Sequence, residues 1–495
     1  MCQVEAASQH LCLSRIVIFA FTVAAFALHG YHYGIEDEAI YLPAIKKLLD
    51  PSLYPLDSEF FMAQSRGTAF PWMIAAITGA TRLPLPWVVF AAQFVSIYLF
   101  LFGGWRVAAL CFARTRERLG AVALLTALQT MPVTGTGIYL ADQHLHPRTL
   151  AGALGLFAIR MVLLRRFLPA IAICAAGFVI HPLMALYSTA FVILLALPRK
   201  TLGETIATVT IPFLATPTAA WREAIATRGY YTLRNWEWFE WLGLLAPFAV
   251  VGWLRRLAHR EELDTAAFLL HRLLLYAAVL CVVTVSISLP RSTDFLWPLQ
   301  PSRYLHTVYL LMILIGGGLL ARIVLRDCVW RWGAALLPLA AGMSFTQFKQ
   351  FENSAHIDVP GARPTNAYVE AFQWVRDHTP RDAYFALHPE YMSEPMNDNY
   401  GFRAIAERSQ MADISKDAAV VTVAPHLAPE WKRQVDAIRD WKTFTRDDFV
   451  RLRQNFGVGW VILDLRQAEV LRLECPYFTS PRQGISVAVC RTSGS

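Results

Sequence analysis

Residues 87–119 read WVVFAAQFVSIYLFLFGGWRVAALCFARTRERL: an apolar run from Trp87 to Phe112, then Arg114, Arg116 and Arg118. The run exceeds the roughly 20 apolar residues a helix needs to cross a bilayer. The arginines after it fix its direction, because Lys and Arg are retained on the cytoplasmic side. The same punctuation recurs after every second apolar stretch, at Arg165 and Arg166, Arg199 and Lys200, Arg255, Arg256 and Arg260, and Arg322 and Arg326. The intervening loops then face outward, and they carry acids, histidines and one arginine.

Composition points the same way. Of 495 residues, 55% are hydrophobic and only 17% charged, against about a quarter charged in soluble domains. The net charge of +8 sits mainly in the inward clusters, and beyond about residue 350 acids and bases nearly balance. With no interleaving of aromatic and basic residues, nucleic acid is excluded as a partner. The first apolar stretch, residues 13–29, has Ala24 and Ala25 where a signal peptide has small residues. Many spans follow it, so an uncleaved first helix is expected.

The pattern predicts a polytopic α-helical membrane protein of about eleven transmembrane helices, with a C-terminal extracytoplasmic α/β domain. The membrane domain takes residues 1–350, with outer-loop interfacial helices at about 38–82, and the soluble domain takes 351–495. The expected spans are Ser14–Tyr31, Trp87–Phe112, Leu119–Leu140 and Leu150–Leu164, two short helices flanking His181-Pro182, Ile206–Ala215, Leu242–Leu254, Ala266–Leu289, Leu305–Leu325, and Gly333–Phe345 broken by Pro338. Ala69–Ala80 is too short for a span, and counting it as one would turn Arg114, Arg116 and Arg118 outward. It is read as a helix partly embedded on the outer side. Tyr230, Tyr231, Trp236, Trp238 and Trp241 suit an interfacial belt.

Beyond Phe351 the charge density becomes ordinary. Helices are expected over Asn366–His378, Pro429–Trp441 and Asp447–Asn455, and strands over Tyr384–Leu387 and Trp460–Leu463. Two last strands, near Cys475 and over Ile485–Val489, are expected to form a hairpin. Cys475 and Cys490 bracket it and are placed to form a disulfide in an oxidising compartment. The other six of the eight cysteines lie in or beside apolar segments. No CxxC or Cys/His cluster has the spacing of a zinc site.

Three outward loops carry the chemistry. Glu36, Asp37 and Glu38 end the first span, and the amphipathic stretch Ala39–Leu49 is read as lying along the interface to hold them. Three adjacent carboxylates either bind a cation or act on a proton; the plainer alternative is a helix start favoured by the dipole. Asp142-Gln143-His144-Leu145-His146-Pro147-Arg148 forms the second loop, in which Asp142 ligates a metal, positions substrate or caps the next helix. His181, before Pro182, marks a helix break or belongs to the same site. In the third loop Arg303 opens a span on the side that disfavours positive charge, so it needs a partner. A guanidinium fits phosphate bidentately, which makes a lipid-linked phosphate its natural ligand.

These loops together resemble the GT-C superfamily of integral membrane glycosyltransferases, in a bacterial branch of uncharacterised function. The resemblance covers nearly the whole chain. It rests on the acidic Glu36-Asp37-Glu38, the outer-loop helix Phe70–Ala80, Asp142 and Arg303. Trp374-Val375-Arg376, His378-Thr379-Pro380, Phe402-Arg403 and Glu407-Arg408-Ser409 echo tail segments of bacterial members. The oligosaccharyltransferase's WWD-type sequence is missing, and Asp-Gln-His-Leu-His stands where some relatives have DxD, so a divalent metal stays open.

The resemblance implies transfer of a sugar from a polyprenyl-phosphate carrier to an acceptor outside the cytoplasm, in a bacterial inner membrane with the N-terminus cytoplasmic. It gives Asp37 the role of general base, or of a group that helps hold a metal, with Glu36 and Glu38 able to share it. Arg303 binds the lipid phosphate, and Asp142, His144, His146 and His181 orient substrate. With no P-loop and no GxGxxG after a strand, a nucleotide-sugar donor is disfavoured. A transporter or flippase is the main alternative, set back by the lack of internal repeats; a non-catalytic assembly protein is the third.

Overall fold

The computed structural model describes residues 2–198, 217–481 and 485–492. The expected span Ile206–Ala215 and the cluster Arg199–Lys200 lie outside the described residues. Along the chain come helices α1 (Cys2–His29), α2 (Glu38–Leu49), α3 (Glu59–Ser65), α4 (Phe70–Thr81), α5 (Leu85–Cys111) and α6 (Thr115–Ala127). A hairpin of β1 (Pro132–Val133) and β2 (Ile138–Tyr139) precedes α7 (Pro147–Leu163), α8 (Phe167–Ile180), α9 (Pro182–Ala196), α10 (Ala219–Ala226), α11 (Trp238–Arg260), α12 (Asp264–Ser288), α13 (Tyr304–Leu320) and α14 (Val329–Gln350).

Among the described residues four helices are long and apolar enough to cross a membrane: Leu85–Cys111, Trp238–Arg260, Asp264–Ser288 and Pro301–Leu325. The chain is a helical membrane protein. Shorter apolar helices include Phe167–Ile180 and Pro182–Ala196, which flank His181-Pro182. One expected span fails. Over Leu119–Leu140, α6 stops at Ala127 and the rest is hairpin. The turn needs its glycines: Gly135 and Gly137 have φ +58° and +64°, and a Cβ on Gly135 would lie 2.2 Å from the Trp236 ring. Trp236 and Tyr231 are correspondingly buried, not set in an interfacial belt; Trp238 stays exposed. Pro338 does not break α14, which runs through it. Spanning helices tolerate proline because surrounding groups satisfy the freed carbonyl.

The chain forms two compact units, Met1–Gly30 with Ala91–Ala215 and Gly229–Gln347, and Tyr31–Phe90 with Thr216–Arg228 and Phe348–Ser495. A single boundary near residue 350 therefore does not describe it. In the first unit α6 packs on α13 through glycine: a Cβ on Gly120 would sit 2.7 Å from the Gly317 carbonyl oxygen, the close backbone approach that small residues allow.

In the second unit the loop after α1 is tied to the C-terminal segment. Tyr31 bridges to Ile357 and Ile35 to Tyr400, and Gly401 N donates to Gly34 O at 2.8 Å. Gly401 is required there, since a Cβ would meet Ala39 Cβ at 2.4 Å. The expected interfacial helix is instead interior: every residue of α2 from Glu38 to Lys46 is buried, because α3 and α4 pack on it together with α16 (Phe402–Ala406).

The C-terminal segment continues with α15 (Ala367–His378), β3 (Tyr384–Ala386), α16, β4 (Ser409–Gln410), α17 (Asp417–Val423), α18 (Ala428–Ile438), α19 (Arg446–Phe456), β5 (Trp460–Asp464), α20 (Leu465–Val470), β6 (Tyr477–Phe478) and β7 (Val487–Arg491). Its sheet has the order β4-β3-β5-β7-β6. β3 is parallel to β4 and to β5, and β7 is antiparallel to both β5 and β6. Val461 to Leu463 are buried on both faces, as a central strand requires. Asn366 caps α15 through Oδ1, which accepts from Tyr368 N and Val369 N. On one face Ile438, Trp441, Phe449 and Leu452 pack against Tyr384, Val461 and Ala488; on the other, Phe402 touches both Phe372 and Phe385. Cys475 and Cys490 are joined as a disulfide.

Candidate functional site

The predicted site residues fall in different units. Asp142, His144, His146, His181 and Arg303 belong to the first; Glu36, Asp37 and Glu38 belong to the second.

In the first unit the loop before α7 collapses around an ion pair. Arg148 Nε and Nη2 donate to Asp142 Oδ2 and Oδ1 at 3.1 and 2.8 Å, with both side chains buried. Asp142 is thus a partner of Arg148 and not the helix cap. Burial alone would raise its carboxyl, but Arg148 first, then His146 and His144, outweigh it and hold the group down at about 2. The cap of α7 is His146, whose Nδ1 accepts Arg148 N at 2.9 Å. His181 does the same for α9, with Nδ1 accepting Met184 N at 3.3 Å.

Those two hydrogen bonds fix the tautomers. A neutral ring that accepts at Nδ1 carries its proton on Nε2, the ring atom opposite the cap in each histidine. Their rings lie 5.7 Å apart, and His144 lies 5.9 Å from His146. Two helix N-termini therefore converge on one cluster, and both favour negative charge nearby.

Arg303 adds a full charge. It sits at the entry to α13, only 8% exposed, within electrostatic range of His181, Tyr187 and His306. His306 was not anticipated; its Nε2 contacts Leu140 O at 2.9 Å, fixing it to the loop that carries Asp142. Among the described residues Arg303 has no carboxylate partner, and its Nε has no hydrogen bond. A buried guanidinium without an ion pair costs several kcal/mol of desolvation until an anion joins it.

In the second unit the acidic triplet is already engaged. Lys416 Nζ, itself buried, lies 2.8 Å from Glu36 Oε2 and 3.0 Å from Asp37 Oδ1. Burial would lower the Lys416 ammonium, but Asp37 and then Glu36 raise it well above its ordinary range. Glu36 and Asp37 remain about one-third exposed. Glu38 turns back and is buried, its Oε2 accepting Gly34 N at 2.5 Å. Glu36 takes φ +47°, the left-handed conformation that lets successive acids diverge.

Sequence reading missed two more networks here. Arg403 donates to Asp417 at 2.8 and 3.0 Å and also to Asp57, all buried. Lys46 Nζ donates to Glu407 Oε1 at 2.6 Å and to Ala404 O at 2.8 Å. The second pair edges a cavity of about 800 Å³, lined also by Tyr33, Trp87, Arg376 and Tyr400.

No group of three His, Cys, Asp or Glu side chains among the described residues is placed to hold a metal ion. Asp142, which the sequence offered as a metal ligand, is engaged by Arg148. The chain matches no protein-family model and no curated protein.

Proposed function

We propose that the chain is a GT-C-like membrane glycosyltransferase that moves a sugar from a polyprenyl-phosphate carrier to an acceptor on the extracytoplasmic side of a bacterial inner membrane. The reading keeps an inward N-terminus, an outward C-terminal α/β domain and the expected spans other than Leu119–Leu140, which ends in a hairpin. One observation carries it: Arg303 is buried at the mouth of an apolar helix, beside histidine-capped helix N-termini, with no carboxylate among the described residues to neutralise it. Two capping imidazoles beside this guanidinium suit a phosphate whose tail is lipid. Arg303 binds that phosphate bidentately and stabilises charge on the leaving group. His146 and His181 donate through Nε2, and Asp142 holds Arg148 so that the loop keeps its shape.

Asp37 is the general base of this reading. Paired with Lys416, it still reaches solvent, whereas Glu38 Oε2 accepts the Gly34 amide. Glu36 shares Lys416 and holds it in place.

The test is incubation of the purified protein with labelled polyprenyl-phosphate sugars. Transferred label, lost in Asp37→Asn and in Arg303→Ala with both variants still folded, supports the reading. Lipid movement across vesicles without transferred label marks a flippase instead. Labelling of cysteines at 37 and 303 from opposite leaflets would end the proposal.

A further inference from the structure

The cavity beside Lys46 and Glu407 lies wholly within the second unit, and the membrane sets its mouth. Leu85 and Trp87, in its lining, belong to the first turn of α5. That helix has 27 residues, about 40 Å at the α-helical rise, against about 30 Å of hydrocarbon. Its first turn therefore reaches the bilayer surface, at the end opposite Arg114, Arg116 and Arg118. Tryptophan is enriched at that level, and Trp87 is 46% exposed. Leu83 and, on α4, Trp72 and Ile77 are exposed as well. The segment 359–364, Val-Pro-Gly-Ala-Arg-Pro, supplies another wall, with Val359 half exposed. A cavity of about 800 Å³ with an apolar lip at the bilayer surface suits an amphiphile whose chains stay in the membrane.

The polar lining narrows the head. Lys46, Arg363 and Arg376 oppose Asp50, Asp358 and Glu407. The lining thus carries no net charge and favours a ligand with none, since unbalanced charge taken from water is costly. Part of this polarity is spent within the protein. Asp50 is held by Arg381 at 2.8 Å, Glu407 Oε1 by Lys46, and Asp358 Oδ2 accepts Tyr33 N at 3.1 Å and Tyr400 Oη at 2.7 Å.

What is left over has both signs. Arg376 binds Asp377 through Nε and Nη2, which leaves Nη1. Lys46 donates twice, to Glu407 and to Ala404 O, out of three N–H groups. Arg363 is exposed and has no ion pair among the described residues. On the acidic side, Asp358 Oδ1 and Glu407 Oε2 accept nothing from the described residues, and both side chains are about one-quarter exposed.

We infer that this cavity binds the head of a zwitterionic phospholipid drawn from the leaflet at that face. The phosphate diester lies on Arg376, Lys46 and Arg363, and the ammonium on the spare oxygens of Asp358 and Glu407. A phosphate alone would set those carboxylates against an anion, and an uncharged head would leave the guanidinium groups without a counter-charge. The inference does not rest on the transferase reading, and its test reads binding rather than transfer.

Delipidated full-length protein in detergent micelles is titrated with phosphatidylethanolamine, phosphatidylglycerol, diacylglycerol and chain-free glycerophosphoethanolamine, and bound molecules are counted by native mass spectrometry. Saturable binding of phosphatidylethanolamine is expected, about tenfold tighter than that of phosphatidylglycerol, the worth of one hydrogen bond to a charged group. Diacylglycerol and glycerophosphoethanolamine, each lacking half of the ligand, should not saturate. Arg376→Gln should weaken both phospholipids about tenfold with the melting temperature unchanged, because its exposed pair with Asp377 contributes little. Asp358→Asn keeps an oxygen for Tyr33 N and Tyr400 Oη; it should weaken phosphatidylethanolamine alone and erase the preference, which a purely structural role would not do. If Asp358→Asn unfolds, Arg376→Gln decides. Phosphatidylglycerol or diacylglycerol bound as tightly as phosphatidylethanolamine, glycerophosphoethanolamine bound as tightly as the lipid, or undiminished binding in Arg376→Gln would overturn the inference.

Discussion

The two charged clusters handle the same problem in opposite ways. In the second unit buried charge is matched internally: Lys416 faces Glu36 and Asp37, and Arg403 is forked onto Asp417 and held by Asp57. In the first unit Asp142 and Arg148 cancel, and Arg303 has no carboxylate partner among the described residues. A closed network fixes a shape. An open one reserves free energy for something that is not yet bound.

The largest effect expected from this contrast is in the closed network. Arg403→Met strands Asp57 and Asp417 in the interior, and breaking a buried pair from one side typically costs about 3–5 kcal/mol. Thermal unfolding of the purified protein should show it; a loss under about 1 kcal/mol would mean the network is wetter than its burial suggests. The open network should respond in function instead. Arg303→Ala is expected to reduce transfer or lipid-phosphate binding by roughly 10²–10³-fold while leaving the melting temperature unchanged or higher, since an unpaired buried charge is removed. A stability loss as large as that of Arg403→Met would erase the distinction between the units.

Replacing Cys475 and Cys490 by serine opens a 15-residue loop and should cost about 3 kcal/mol, read by the same melts with and without reductant. The smallest effect is a pH dependence. Asp142 titrates at about 2 in the folded chain, below the ~3.9 of an unperturbed aspartate. Its contribution, ~2 kcal/mol, is therefore complete above pH ~4 and lost as the pH falls toward 2. Melts across that range should slope downward in the native protein, and Asp142→Asn should flatten the slope. An unchanged slope would show that other carboxyls carry it.

Much of the architecture was legible because its signals are local. Apolar length marked α5, α11, α12 and α13; the Asn366 cap and the Thr379-Pro380 stop bounded α15; the unbroken Val-Ile-Leu run marked β5 as central. What failed depended on contacts distant in sequence. Nothing near residue 130 announces that Trp236 will sit on Gly135 and replace half a helix with a hairpin. The buried state of α2 was hidden for the same reason, since one of the helices that covers it begins at Phe402. In the site, residue types were readable but partners were not. Asp142 looked like a cap because acids commonly cap helices, whereas Arg148 six positions on claimed it and His146 took the cap. Lys416 stands alone between a serine and an aspartate with no periodic signal, and only the fold brings it to Glu36 and Asp37.

The interleaved course of the chain also sets an order of assembly. Tyr31 pairs with Ile357, which a ribosome adds more than 300 residues later. At about 5–20 residues per second that delay is roughly 15–65 s. Throughout it the carboxylates at 36 and 37 emerge, and wait, without the lysine that neutralises them. Biogenesis of this protein thus contains an interval in which an unfinished acidic segment must be shielded, and slowing translation between residues 90 and 350 should lengthen that interval and expose the nascent chain to proteolysis near residue 50.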